Sequence, residues 1–270
     1  MKNNKSHYSK SVYYVLLLIT TTTTIFISCT NNTIQSKQVI TSINKEIEEI
    51  HPGILAGYLS EEEYPNSLEL LPPPPVDGSA AQMYDVEISE KYNSLTDTAR
   101  IELAQKDAIL TFPEAFDAFN IILDIPISEE KTPNLYMLLR RSLADAGLAT
   151  YAAKNNYSRA RPFMVNNLPE LDYSSEVDLR KDGSYPSGHT AIGWAWELIL
   201  TEIYPDQTDV IIERGRQFGI SRMICNVHWN SDVEAGRFIG SAAVAKLHAN
   251  KQFQIDLEAA KNEMKLLRNN

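Results

Sequence analysis

Three short segments of this chain concentrate side chains able to do acid–base and electrostatic work. The first, Lys154-Asn-Asn-Tyr-Ser-Arg-Ala-Arg161-Pro162, sets two cations seven residues apart, and two helical turns put both on one face. A solvated basic face is the plainer reading of this segment taken alone, and Asn155 and Arg159 suit it. The second is Gly183-Ser-Tyr-Pro-Ser187-Gly188-His189-Thr190, in which Pro186 and Gly188 shape a tight entry into an apolar helix. The N–H groups of Ser187, Gly188 and His189 then point outward at a helix N-terminus, where anions bind well. Gly188 also removes a side chain where an oxyanion would approach. Ser187 equally suits a simple N-cap, but a histidine just inside a helix start is unusual, because its cationic form opposes the dipole. The third segment, Ser221-Arg222-Met-Ile-Cys-Asn-Val-His228-Trp-Asn-Ser-Asp232, places His228 and Asp232 four apart. A carboxylate at that distance can hold one ring nitrogen and leave the other lone pair free to attack.

Together these segments supply three cations, helix N-terminal amides, a histidine held by an aspartate, and a second histidine. That set matches phosphoryl transfer to a histidine. Cations and amides hold three equatorial oxygens, one imidazole attacks in line, and the other protonates the leaving oxygen. Metal binding is the competing reading. The chain has five histidines, of which His7, His51 and His248 lie outside the segments, and neither His-x-x-x-His nor paired cysteines support a metal site.

The elements that must position these residues read as helices. Thr132-Pro133 opens one, since proline's missing N–H costs nothing in the first turn, and Leu135, Leu138, Leu139 and Leu143 follow at helical spacing until Pro162 stops the pattern. A second begins around Ser187, carries Ile192, Trp194, Trp196 and Leu198 to Tyr204, and ends before Pro205. It is apolar almost all round, which predicts a central place in the core. Ser231 and Glu234 suggest a capping box for a last long helix with Val233, Phe238, Ile239 and Val244 on its buried side. Ala-rich spacing without alternating strands favours an all-α domain, expected to start near Ser67 and run to residue 270, with the polyproline stretch Pro72–Pro75 near its entrance.

Residues 1–28 read as a leader. Lys2, Lys5 and Lys10 precede an apolar stretch from Val12 to Ile27, and Ser28-Cys29 resembles a lipoprotein cleavage site with Cys29 acylated. Residues 29–66, rich in glutamate, read as a tether. The chain is therefore expected to be exported, periplasmic or cell-surface, and held to a bacterial membrane only through its lipid, since no later apolar stretch reaches 18 residues. The 25 basic and 35 acidic residues give a net charge of −10, which becomes −13 once the three leader lysines are removed. Such a surface repels polyanions and excludes general nucleic-acid binding. A small phosphate site stays compatible with it, because three local cations outweigh distant charges screened within about 8–10 Å.

The pattern Lys-x6-Arg-Pro, Pro-Ser-Gly-His and Ser-Arg-x5-His-x3-Asp is similar to the signature of the type 2 phosphatidic acid phosphatase and haloperoxidase superfamily. Leu71 to Pro75 with Gly78-Ser79-Ala80, Asp145-Ala146-Gly147, Gly183 to Trp194 and His228-Trp229 resemble the bacterial class A non-specific acid phosphatases. The resemblance spans roughly Ser67 to Glu263. It implies an all-helical fold, no metal or other cofactor, His228 as nucleophile, Asp232 as its orienting group and His189 as general acid. It further implies phosphate binding by Lys154, Arg161, Ser187, Gly188 and Arg222. Small phosphomonoesters are the expected substrates, with inorganic phosphate or vanadate as ligands and a homo-oligomer compatible with such a domain. Transfer to alcohol acceptors and vanadate-dependent haloperoxidase chemistry are the alternatives. Ala144 stands where relatives often carry Glu and Asn226 where Gly is common, which bears on substrate preference and pH profile. With both histidines near the ordinary value of about 6.5, a bell-shaped, mildly acidic rate profile is expected.

Overall fold

A computed structural model of the protein describes residues 47–172 and 176–269. The chain divides into two units, Met1–Lys45 and Glu46–Asn270, and every described residue belongs to the second. The leader, Cys29 and the first part of the expected tether lie outside the described residues.

A two-stranded antiparallel hairpin, β1 (Glu49–His51) and β2 (Ile54–Leu55), opens the described chain and turns at Gly53, whose φ of +81° only glycine adopts without strain. Helices make up the rest. Helix α1 (Ala80–Asn93) starts where the Ser79 hydroxyl accepts from Gln82 N–H, and α2 (Thr98–Lys106) where Asp97 accepts from Arg100 N–H. After a loop of short turns come α3 (Pro133–Leu148) and α4 (Tyr151–Tyr157). A four-helix run completes the fold: α5 (Gly188–Ile203), α6 (Thr208–Ile224), α7 (Asn230–Leu247) and α8 (Lys251–Arg268). The all-α expectation therefore holds, with the small hairpin as its only β structure among the described residues.

Helix α5 packs against α3, α6 and α7, as its all-round apolar pattern requires. Trp196 on α5 is fully buried among Phe116, Phe119 and Tyr136, and its indole N–H donates to Leu139 O at 2.9 Å. Full burial of side chains this large stabilises by about 1.5–3 kcal/mol each.

Several expectations need correction. The domain begins upstream of Ser67. Tyr58 and Leu59 are buried in the main core, and the Asp145 carboxylate on α3 accepts from both of their backbone N–H groups at 2.9–3.0 Å. Burial raises the pKa of that carboxyl to about 6. The helix from Pro133 does not run to Pro162. It stops at Leu148, and α4 ends at Ser158, which takes a left-handed φ of +43°. Lys154 and Arg161 therefore do not share one helix face. Helix α7 is capped by Asp232, whose carboxylate accepts from Trp229 N–H at 2.8 Å, rather than by Ser231 and Glu234. Helix α7 is followed by α8, and Phe238 on α7, expected to be buried, is 52% exposed.

Candidate active site

Helices α5 and α7 meet backbone to backbone. A Cβ at Gly236 would lie 2.5 Å from Ser187 O, and one at Gly240 would lie 2.6 Å from Ala191 O. This close approach holds the start of α5, with His189, against the start of α7, with His228 and Asp232. Ser187 N–H donates to Asp232 O at 3.0 Å across that junction. The amide of Ser187 is thus already used, and its hydroxyl accepts from Thr190 as an N-cap, so only Gly188 and His189 keep first-turn amides of the kind expected. Ser187 does not line the cavity.

The cavity has a volume of about 210 Å³ and is lined by Lys154, Arg161, Gly188, His189, Arg222 and His228. Lys154 reaches it from α4 and Arg161 from the loop beyond the left-handed Ser158. They converge because both bind Asp182, the Lys154 ammonium at 3.3 Å and an Arg161 Nη2–H at 3.0 Å from the same Oδ2. Lys154 also donates to Gly183 O at 2.6 Å. Burial lowers its pKa to about 8 against the opposing pull of Asp182, which leaves it a cation at acidic pH. Arg222, on the last turn of α6, is fully buried and sits 2.9 Å from Asp172 Oδ2. Its Nε and Nη1 have no oxygen acceptor among the described residues.

His228 is almost fully buried. Its Nε2 lies 3.1 Å from Arg161 Nη1, and its Nδ1 lies 3.5 Å from Asp232 Oδ2. A guanidinium only donates, so Nε2 is the lone-pair nitrogen and the neutral ring carries its proton on Nδ1, facing Asp232. Burial first, then the charges of Arg161, Lys154 and Arg222, hold the pKa of His228 well below the ordinary imidazole value. The ring is therefore neutral, with an unprotonated Nε2 that accepts from Arg161. Asp232 is held in turn by Arg159, whose Nη1 donates to Oδ1 at 2.6 Å while Nη2 donates to Asp85 Oδ2 on α1 at 2.8 Å. Asp85 also accepts from the backbone and hydroxyl of Ser231. Arg159 and Asp85 were not legible as site residues. Arg159 looked like a solvated cation two places before Arg161, and nothing local ties Asp85 to it.

His189 donates from Nε2 to Ala108 O at 3.1 Å, since a carbonyl can only accept, which leaves Nδ1 to gain and lose the second proton. Burial, then the charge of Arg222, lowers its pKa to about 4, so the ordinary value expected from sequence does not survive folding. Asn226 takes a left-handed φ of +61°, which explains a position where glycine is common. Asparagine tolerates that region, and its side-chain amide is bonded to Asn166, Leu168 O and Pro169 O. Ala144 is buried on α3 and does not line the cavity. Among the described residues, no three His, Cys, Asp or Glu side chains gather as a metal site would require.

Residues 135–255, which carry every one of these cavity cations and both histidines, match the profile of the PAP2 superfamily. Along most of its length the chain is also 45% identical to the non-specific acid phosphatase of Providencia stuartii, over 78% of this chain and 86% of that protein. It is 36% identical to an acid phosphatase of Zymomonas mobilis, over 80% and 88% of the two chains, and 37% identical to a non-specific acid phosphatase of Salmonella typhimurium, over 76% and 82%. Within the PAP2 superfamily, this chain belongs to the bacterial non-specific acid phosphatases.

Proposed function

We propose that this protein hydrolyses small phosphomonoesters without a metal, through a covalent phosphohistidine on His228. The observation that carries this reading is the buried guanidinium of Arg222, which among the described residues has no oxygen acceptor at Nε or Nη1, in a cavity also reached by Lys154 and Arg161. A phosphoryl group brings the missing acceptors and the neutralising charge. The names of the relatives support the same substrate class.

In this reading the three cations and the amides of Gly188 and His189 hold the non-bridging oxygens. The Nε2 lone pair of His228 attacks phosphorus opposite the leaving oxygen, so that the P–N bond forms as the P–O bond breaks. Nδ1 of protonated His189 gives its proton to the leaving oxygen, which departs as the alcohol. Asp232 stabilises the positive charge left on the His228 ring. Water then attacks the phosphohistidine, His189 takes its proton, the P–N bond breaks, and phosphate leaves. An alcohol in place of water gives transfer by the same step. Vanadate, which adopts the five-coordinate geometry of the transition state, should inhibit.

The test is turnover of a 32P-labelled monoester followed by rapid quenching. The expected result is an acid-labile, base-stable label on the protein that is absent in His228→Ala, with turnover unchanged by EDTA. Complete loss of activity in EDTA, or undiminished turnover in His228→Ala, overturns the mechanism.

A further inference from the structure

His189 borders a second cavity as well as the one that holds the cations. This second space has a volume of about 510 Å³, within the range that takes a small organic molecule, and shares Leu110 and His189 with the first. Its walls are mostly apolar, from Ile54, Leu110 and Phe112, and one cation stands in them, Arg140 from α3. The Arg140 guanidinium lies over the ring of Phe112, with Cζ 5.0 Å from the centroid, and also faces Tyr136 at 5.7 Å. Nη2 donates to Gly53 O at 3.3 Å. Among the described residues, the buried Nε has no acceptor and no carboxylate comes within ion-pairing distance of this guanidinium. In a chain with ten more acids than bases, an arginine stacked on an aromatic wall and left without a carboxylate is available to an anion from outside.

The position of His189 fixes what that anion belongs to. The oxygen that receives the proton of His189 carries the rest of the substrate, and His189 with Leu110 forms the wall where the phosphate cavity meets the second one. The alcohol portion therefore projects past His189 into the second cavity. We infer that Arg140 binds a second oxyanion on the leaving alcohol. The favoured substrates are then phosphomonoesters whose alcohol carries a carboxylate or another phosphate beyond an apolar or aromatic body. This inference rests on the phosphatase reading above, and it names the class of substrate for that same site. Arg140 acts here as a specificity-determining residue and takes no part in the bond-making steps.

The test compares kcat/KM for phenyl phosphate with that for 3- and 4-carboxyphenyl phosphate and for 1,4-phenylene bisphosphate, in wild type, Arg140→Gln and Arg140→Lys. Dividing each value by that for phenyl phosphate within one variant removes any general loss from the substitution. In Arg140→Gln the ratio is expected to fall about tenfold for at least one ester with an anionic tail, as a lost charge-assisted hydrogen bond implies, and in Arg140→Lys to recover in part. The carboxylate and phosphate arms show which oxyanion the cavity prefers. A ratio that stays constant across all three proteins overturns the role of Arg140 while leaving the phosphatase reading intact, even if every rate falls together. Absence of turnover of any ester by the wild-type protein overturns both.

Discussion

A half-buried imidazole that must donate a proton faces opposing demands, and His189 meets both of them. Its Nε2 is tied to Ala108 O, and burial beside Arg222 lowers its pKa to about 4. In the free protein the protonated fraction of His189 therefore falls as pH rises above that value. A bound phosphoryl dianion offsets the charges of Arg222 and Arg161, so in the complex the pKa rises and the acid form persists to higher pH. Because kcat/KM reports the free protein and kcat the complex, the alkaline limb of kcat should lie at least about one pH unit above that of kcat/KM. Full pH profiles on p-nitrophenyl phosphate check this. Coincident alkaline limbs, or a rate rising steadily to pH 9, would remove His189 as the acid. His228 raises no such conflict, since a low pKa keeps Nε2 unprotonated, as a nucleophile requires.

At the scale of elements, the nucleophile is held by a relay that crosses three parts of the chain. Asp85 on α1 holds Arg159, which follows α4, and Arg159 holds Asp232 on α7. Asp232 is fully buried, and burial alone raises its pKa. The charge of Arg159 is the largest influence that keeps it ionised. Without that guanidinium the pKa of Asp232 rises further, and its carboxylate stabilises a positive His228 ring less. Arg159→Gln should lower kcat by roughly 10- to 100-fold, the loss expected for a hydrogen bond between charged groups, with KM changed much less. The acid limb of the kcat profile should move to higher pH, because a weakened partner loses its charge sooner, and Arg159→Lys should restore part of the rate. A variant that loses activity through KM alone, with an unmoved profile, would make Arg159 a phosphate ligand instead of a positioning residue.

Across the whole molecule, the acidic surface and one buried carboxyl act on stability in the same direction. Glu197 lies inside α5 with no exposure and no hydrogen-bond partner at either oxygen among the described residues, in the notch left by Gly215, where a Cβ would overlap its carboxyl. Burial raises its pKa to about 9, with Arg237 opposing weakly. The native protein therefore keeps a proton that the unfolded chain, with a glutamate pKa of about 4.3, releases. Unfolding loses protons between those two values, so the stability from Glu197 is complete below about pH 4 and declines as pH rises toward 9. Glu197→Gln should unfold at nearly the wild-type temperature at pH 4 and at a higher one at pH 8, measured by calorimetry in matched buffers. A temperature difference that stays constant with pH would show that Glu197 is not buried as a neutral acid. The excess of 35 acids over 25 bases adds self-repulsion that also grows with pH, and it is common to both proteins, so it cancels in the comparison.

What the sequence determined by itself were the features set by local spacing. These were the helix starts at Pro133 and Ser187, the apolar helix around Trp196, and the two histidines and three cations whose types define a phosphate chemistry. Each is a matter of one helical period or one turn, and short-range rules reach that far. Tertiary structure decided the rest. It brought Lys154 and Arg161 together through Asp182 after the helix between them had broken, and it recruited Arg159 and Asp85 to hold Asp232. It also buried His228 and half-buried His189 beside Arg222, which lowered their proton affinities from the values a sequence supplies. The start of the domain likewise rests on the long-range bond from Tyr58 and Leu59 to Asp145. Burial and pairing between distant segments are properties of the packed molecule. A residue's charge and reach are written in the chain, but its solvent and its partners are set by what folds against it.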